Sequence, residues 1–169
     1  MPKILAAIDG SEFAMKALGE AVGIFGPEAE YVLLSVVPPR PPTGVTAGLT
    51  ATDHAPGART HGTSTGSNPY APTADSVAAA SEAIYEFYRS AQRQAATHAG
   101  VPVKHVIEEA KQRKRRIGRV ICESAAEHDC EVIVIGSHGS SYTGEVLLGS
   151  VSQYVLHHAE VPVLVVNRS

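Results

Sequence analysis

Short runs of consecutive apolar residues, each of strand length and each followed by a helix-spaced segment, constrain this chain more than any other feature. Residues 3–9 carry Ile4, Leu5, Ala6, Ala7 and Ile8 before Asp9, and residues 31–37 form a second run rich in Val and Leu. Runs that are apolar on both faces suit strands of a parallel sheet covered on both sides. Between them Ala14, Ala17, Leu18, Ala21, Val22 and Phe25 keep helical spacing, with Ser11 as a capping residue and Gly26-Pro27 as a stop. The pattern resumes with a long amphipathic helix marked by Val77, Ser81, Ile84, Phe87, Tyr88, Ala91 and Ala95, ending near Gly100. A strand over 101–107, a helix marked by Ile117, Val120, Ile121 and Ser124, a strand over 131–135, a helix over 151–158 and a strand over 161–166 follow. The strict alternation predicts an α/β fold, a single-domain, doubly wound parallel sheet of five strands. The hexapeptide beginning at His98 recurs in form at His158. Each copy reads as a helix end passing into a strand, which is shared local grammar rather than a duplicated domain.

Residues 38–73 break the pattern. They are rich in Pro, Gly, Thr, Ser and Ala, bury too little apolar surface to offset ordering entropy, and read as a flexible insertion in one domain over 1–169. A formal net charge of −3 and a pI near 6.2 give no electrostatic reason to favour nucleic acid or an acidic membrane. No apolar stretch reaches the ~18 residues a membrane span needs, and residues 4–8 are too short for a secretory signal. Cys122 and Cys130, read as lying on a helix and the next strand, lack metal-ligand spacing and suit buried reduced thiols in a cytoplasm.

In doubly wound sheets ligands bind outside the carboxyl ends of the strands, where the winding reverses. That rule selects the loop Asp9-Gly10-Ser11 and the loop from Gly136 onward. The latter reads Gly136-Ser137-His138-Gly139, then nine residues, then Gly149-Ser150-Val151-Ser152. Glycines at 136 and 139 allow close backbone approach to a polyphosphate and positive φ where a tight loop requires it. Gly149 and Ser150 open the final helix, whose amides and dipole, with the Ser150 and Ser152 hydroxyls, suit an anion. Singly, each glycine turns a chain and Ser150 caps a helix; their joint spacing points to a phosphate cradle. No Gly-Lys-Ser/Thr P-loop ending is present, and no Gly-x-Gly-x-x-Gly follows the first strand, so neither a Walker NTPase nor a dinucleotide dehydrogenase is supported.

The spacing Gly136, Gly139, Gly149, Ser150 matches the nucleotide signature of the universal stress protein (UspA-like) family, and the chain resembles the ATP-binding branch of that family. The opening segment Ile4 to Ser11 and the closing text from Leu147 to Ser152 and from Val161 to Val166 are similar to it as well. The resemblance implies an adenine-nucleotide alpha-hydrolase-like sheet ordered 3-2-1-4-5, with nucleotide between the first and fourth strands. It implies that Ala7, Ile8 and Asp9 meet adenine and ribose, and that Val36 supplies an adenine contact. It implies as well that Ile135 and Gly136 complete the nucleoside pocket and that Gly139, Gly149, Ser150, Val151 and Ser152 meet the phosphates. It further implies ATP or another adenine nucleotide as ligand, Mg²⁺ held through the phosphates, and a homodimer. The apolar closing strand 161–166, at a sheet edge in that order, is the surface a second copy would cover.

The chain departs from the family pattern in the 38–73 insertion and at residues 111–116, Lys-Gln-Arg-Lys-Arg-Arg, where a Gly-x-Pro-like turn is usual. A charge run of this kind is ordinarily a solvated loop; the alternative sets an arginine from 113–116 over the phosphates or at an acidic partner. No aromatic platform accompanies it for nucleic acid. His138 reads as a solvent-facing loop histidine, with phosphate contact as the alternative. His157 and His158 suit a helix C-terminus and point apart, so neither is assigned a metal. Asp9 as a ribose ligand requires less than Asp9 as a general base. The sequence therefore supports a nucleotide-dependent regulatory module, with a slow ATPase or phosphate-transfer enzyme, a sensor of AMP or cyclic AMP, and an interaction protein with a vestigial site as alternatives. No catalytic residue stands out.

Overall fold

The computed structural model of the chain describes residues 1–38, 73–110, 117–138 and 148–167. The element order is β1 Lys3–Ala7, α1 Glu12–Phe25, β2 Glu30–Val37, α2 Ala74–Ala99, β3 Val103–Glu109, α3 Ile117–Glu127, β4 Val132–Gly136, α4 Ser150–His158 and β5 Val163–Val166. The strands form one five-stranded sheet ordered β3-β2-β1-β4-β5, and every pairing is parallel. This is the α/β fold and strand order expected. The insertion 38–73, the basic run 111–116 and the segment 139–147 with Gly139 lie largely or wholly outside the described residues.

The sheet belongs to one compact unit, Met1–Pro39 with Ile84–Ser169. Of the second unit, Arg40–Ala83, the described part is the opening of α2. There the Thr73 hydroxyl accepts from the Ser76 amide at 3.2 Å and caps the helix.

Alternate residues of the central strands feed two separate cores. Ile4, Ala6, Tyr31, Leu33 and Val134 pack with Ala14, Ala17, Leu18 and Ala21 of α1 and with Ala91 and Ala95 of α2. Leu5, Val32, Leu34, Ile133 and Ile135 pack with Val120, Ile121 and Ala125 of α3 and with Val155 of α4. Helices α1 and α2 thus cover one face and α3 and α4 the other, which puts the winding reversal between β1 and β4.

β2 and β4 differ from the sequence expectation by at most one residue at either end, and the other three strands by two. β1 ends at Ala7 rather than Asp9, because the chain turns away from β2 after Ile8. β3 and β5 start two residues later than expected, each just after a proline that has no N–H for the ladder, although Pro162 O still accepts from the Ile133 amide at 3.0 Å. β3 continues to Glu109, opposite Val37. Cys130 lies in the turn before β4 rather than on it, and it is buried while Cys122 on α3 is half-buried; both are free thiols. The repeated hexapeptides fall where expected, at the passage from α2 to β3 and from α4 to β5.

The buried face of α2 is rotated from the predicted stripe. Phe87 and Ile84 are exposed, at 57% and 38%, whereas Tyr85 and Gln92 are buried. A glutamine does not count as apolar, so the pattern missed it; the tertiary structure buries it because it finds partners on two strands.

Candidate functional site

The carboxyl ends of β1 and β4 lie side by side, with Ala6 opposite Val134. The Ile8 amide still bonds to Leu34 O at 2.8 Å, and its side chain is buried in the α1 and α2 core, so only its backbone faces the strand ends. Ala7 is half-buried against the other core. Asp9 accepts from the Ser11 amide at 2.9 Å through Oδ1, and Ser11 Oγ accepts from the Ala14 amide at 3.2 Å as the cap of α1. Gly10 sits between them at φ +82°, and a Cβ there would lie 2.8 Å from Phe87 Cζ. Phe87 therefore rests on the turn, which the spacing of α2 did not reveal. The neighbouring Tyr88 hydroxyl is pushed above its usual pKa, first by burial and then by the negative charge of Asp9.

Val36 of β2 and Ile135 of β4 are both buried in the α3 and α4 core. Gly136 closes the strand opposite Val166. The left-handed glycines among the described residues are Gly10, Gly26 and Gly100, so Gly136 answers a different requirement from the positive φ expected of it. A Cβ at 136 would lie 2.7 Å from Phe13 Cβ and 2.9 Å from the Phe13 carbonyl carbon. The absent side chain lets the first turn of α1 rest against the end of β4.

The chain leaves β4 at Ser137, whose amide bonds to Val166 O at 2.8 Å and whose hydroxyl donates to Asn167 Oδ1 at 3.1 Å. Ser137 Oγ then accepts from His138 Nδ1 at 3.0 Å, and the His138 ring lies 5.5 Å from that of Phe13. His138 thus has a packed, hydrogen-bonded place rather than a free solvent-facing one.

Where the chain returns, the Gly149 amide donates to Ser137 O at 2.8 Å. Gly149 is the N-cap of α4 and supplies no side-chain cap. The first amides of a helix have no intrahelical acceptor, so those of Ser150, Val151 and Ser152 point out of its end. Ser150 is exposed and Val151 half-buried. Ser152 is buried, and its hydroxyl donates to Gly136 O at 2.9 Å and lies 3.2 Å from Ser137 O. Its hydrogen is committed to the protein backbone, so its offer to an anion is its amide, a correction to the hydroxyl expected above.

Of the eleven residues singled out, ten are described: nine lie at the β1 and β4 ends and the start of α4, and Val36 lies near the end of β2; Gly139 is outside the described residues. Ser35, Gln92, Ser137 and Asn167 were not singled out. The signal for the first was available: Ser35 is the polar residue inside the apolar run 31–37. At the far end of α4, His158 Nδ1 donates to Tyr154 O at 2.8 Å and its ring stacks on Tyr154 at 3.9 Å, while His157 is exposed. A separate groove of about 580 Å³ runs between α2 and β3, lined by Tyr85, Arg89, Gln92, Arg93, His105 and Ile107, and contains none of the eleven.

Comparison with known proteins bears on this arrangement. The family model "Universal stress protein family" matches residues 54–167, more than half of the 169. Universal stress protein Slr1101 of Synechocystis sp. is 45% identical over 49 residues, 29% of this chain and 45% of that protein, so the chain spans less than half the length of this curated relative. Among solved structures, MJ0577 of Methanocaldococcus jannaschii superposes with a TM-score of 0.67 at 23% identity, covering 99% of this chain and 96% of that one. A universal stress protein in complex with cAMP gives 0.59 at 18%, covering 99% and 98%. One from Archaeoglobus fulgidus in complex with dAMP gives 0.50 at 19%, covering 98% and 97%. At these identities the structural likenesses establish the fold, and the family rests on the model match: this chain belongs to the universal stress protein family.

Proposed function

We propose that the chain is an ATP-binding universal stress protein, a regulatory module whose nucleotide occupancy changes its shape or its partners in a stress response. The observation that carries this reading is the place of Gly136, which touches the first turn of α1 through Phe13 and the first turn of α4 through Ser152. The Asp9 turn and the amide end of α4 thereby flank one strand junction. In this reading Ala7, Ile8 and Asp9 meet the nucleoside, Val36, Ile135 and Gly136 line it, and Gly139, Gly149, Ser150, Val151 and Ser152 hold phosphate. An anion at the α4 amides is favoured by hydrogen bonding and by the helix dipole together.

Mg²⁺ in this proposal arrives on the nucleotide phosphates. The whole chain, 1–169, is proposed as one universal stress protein domain carrying the 38–73 insertion, acting in the cytoplasm as a homodimer through the edge strand β5. No helix among the described residues is long and apolar enough to cross a membrane.

The cAMP and dAMP complexes of two structural neighbours favour a second reading, in which a nucleotide monophosphate is the ligand. Calorimetry of the purified chain with ATP, AMP and cyclic AMP, with and without Mg²⁺, separates the two. Tighter binding of ATP supports the first reading, and binding of AMP or cyclic AMP alone selects the second. Failure of all three, with no adenine nucleotide released on denaturation, removes both. Phosphate release by the wild type in excess of Gly139→Val would convert the module into a slow ATPase or phosphate-transfer enzyme. Sedimentation as a monomer at micromolar concentration would overturn the dimer.

A further inference from the structure

Two buried polar side chains on the covered interior of the sheet, Ser35 and Gln92, are unexplained by packing. Both are at most 1% exposed. Burying such groups is costly unless every hydrogen bond is made, and satisfied networks of this kind hold one geometry.

The polarity of the network follows from its partners. Gln92 Nε2 lies 2.8 Å from Val106 O and 3.0 Å from Leu33 O, both of which only accept, so this end of the amide donates. Its Oε1 end then accepts from His105 Nδ1 at 3.2 Å. Nε2 also lies 3.0 Å from Ser35 Oγ, which has one hydrogen of its own. Ile8 O, at 2.7 Å, only accepts, so the single Ser35 hydrogen goes to it, and Ser35 Oγ shares one of the two Gln92 Nε2 hydrogens with a backbone carbonyl.

Ile8 is the first residue past β1. Its amide still joins the ladder at Leu34 O, but its carbonyl is taken by a side chain, and the next residue is Asp9 in the turn that leads to Ser11 and α1. Ser35 therefore ends the strand, and Gln92, reaching from α2 across β3 and β2, sets the direction of the Ser35 hydroxyl.

We propose that Ser35 and Gln92 are positioning residues for the nucleotide site: they fix the exit of β1 at Ile8 and hence the place of the Asp9 turn. Neither side chain touches ligand in this scheme. Its nucleotide arm rests on the reading under Proposed function, while the positioning arm is independent of it.

The positioning arm is tested by amide hydrogen exchange followed residue by residue in Ser35→Ala and Gln92→Met. The second is close to volume-conserving and the first removes a single atom, so both changes disturb the packing little. Exchange at Ile8 and Ser11 is expected to quicken about tenfold more than at Cys130 and Ile133, whose amides bond elsewhere in the sheet unit. A uniform change at all four sites would overturn the proposal, because that pattern reports only global stability. The nucleotide arm is tested by ATP calorimetry at a temperature where every variant is folded, with Tyr31→Phe as a control at the opposite end of α1. ATP affinity is expected to fall about tenfold in Ser35→Ala and Gln92→Met and to stay unchanged in Tyr31→Phe. Equal affinities in all three would overturn the link to the site. A wild type that binds no adenine nucleotide would overturn the nucleotide reading, and the exchange pattern would still decide the positioning role.

Discussion

Gly136 lies directly beneath Phe13: a Cβ on the glycine would stand 2.7 Å from Phe13 Cβ and 3.2 Å from the amide nitrogen of Ala14. The obstacle is largely backbone, which does not rotate away as the tip of a side chain would. The closeness of α1 to the end of β4, and with it the shape of the strand junction, depends on the missing methyl.

Gly136→Ala is therefore expected to destabilise the protein by about 1–3 kcal/mol through overpacking at the start of α1. Urea unfolding midpoints of the variant and the wild type provide the measurement. An unchanged midpoint would show that α1 moves off β4 at no cost.

Ser152 joins α4 to the exit of β4 by donating to Gly136 O, with Ser137 O close by. Ser152→Ala leaves buried acceptors without that donor, at a cost of about 1–3 kcal/mol. Thermal melts are expected to show the loss, and ATP affinity is expected to fall with it because the start of α4 is no longer tied to β4. Full retention of both would refute this role.

Tyr31 is fully buried, and its hydroxyl donates to Gly26 O at 2.7 Å, just past the end of α1. Tyr31→Phe keeps the packing and removes the donor, so a loss of about 1 kcal/mol is expected. Ligand affinity measured on the same protein should match the wild type, since Gly26 lies at the other end of the helix from Asp9.

Burial pushes the thiols of Cys122 and Cys130 above their usual 9.0 and the phenols of Tyr31 and Tyr88 above their usual 10.0. The folded chain holds these protons more tightly than the unfolded one. Below about pH 9 both states keep them and stability is unaffected by these groups; above it the unfolded chain releases first, so stability falls as pH rises. Denaturation midpoints taken from neutral pH to pH 11 are expected to decline on the alkaline side. A midpoint that is constant or rising there would contradict the assignment.

Much of the fold was legible because its signals are local. Ile4 to Ile8 and the run 31–37 are apolar without alternation, which is what a strand covered on both faces needs, and Ser11 and Gly26 mark the ends of α1 by local capping and turn chemistry. The glycine spacing from Gly136 to Ser150 located the strand junction for the same reason. The order 3-2-1-4-5 came from family resemblance, since apolar runs do not record which strand pairs with which.

The sequence by itself determined that the chain alternates strand and helix and that the sheet is covered on both faces, and it singled out the loops that follow β1 and β4. The tertiary structure alone decided what the individual residues there are for. It turned Tyr85 and Gln92 of α2 inward and Phe87 outward onto Gly10, gave Gly136 its reason in Phe13, and spent the Ser152 hydroxyl on backbone carbonyls. The physical reason is common to all three. Periodicity and turn chemistry act within a few residues, whereas steric closeness and the partners of a buried polar group are set by segments brought together from 16 to 123 positions apart, as Ser152 with Gly136 and Gly136 with Phe13 show.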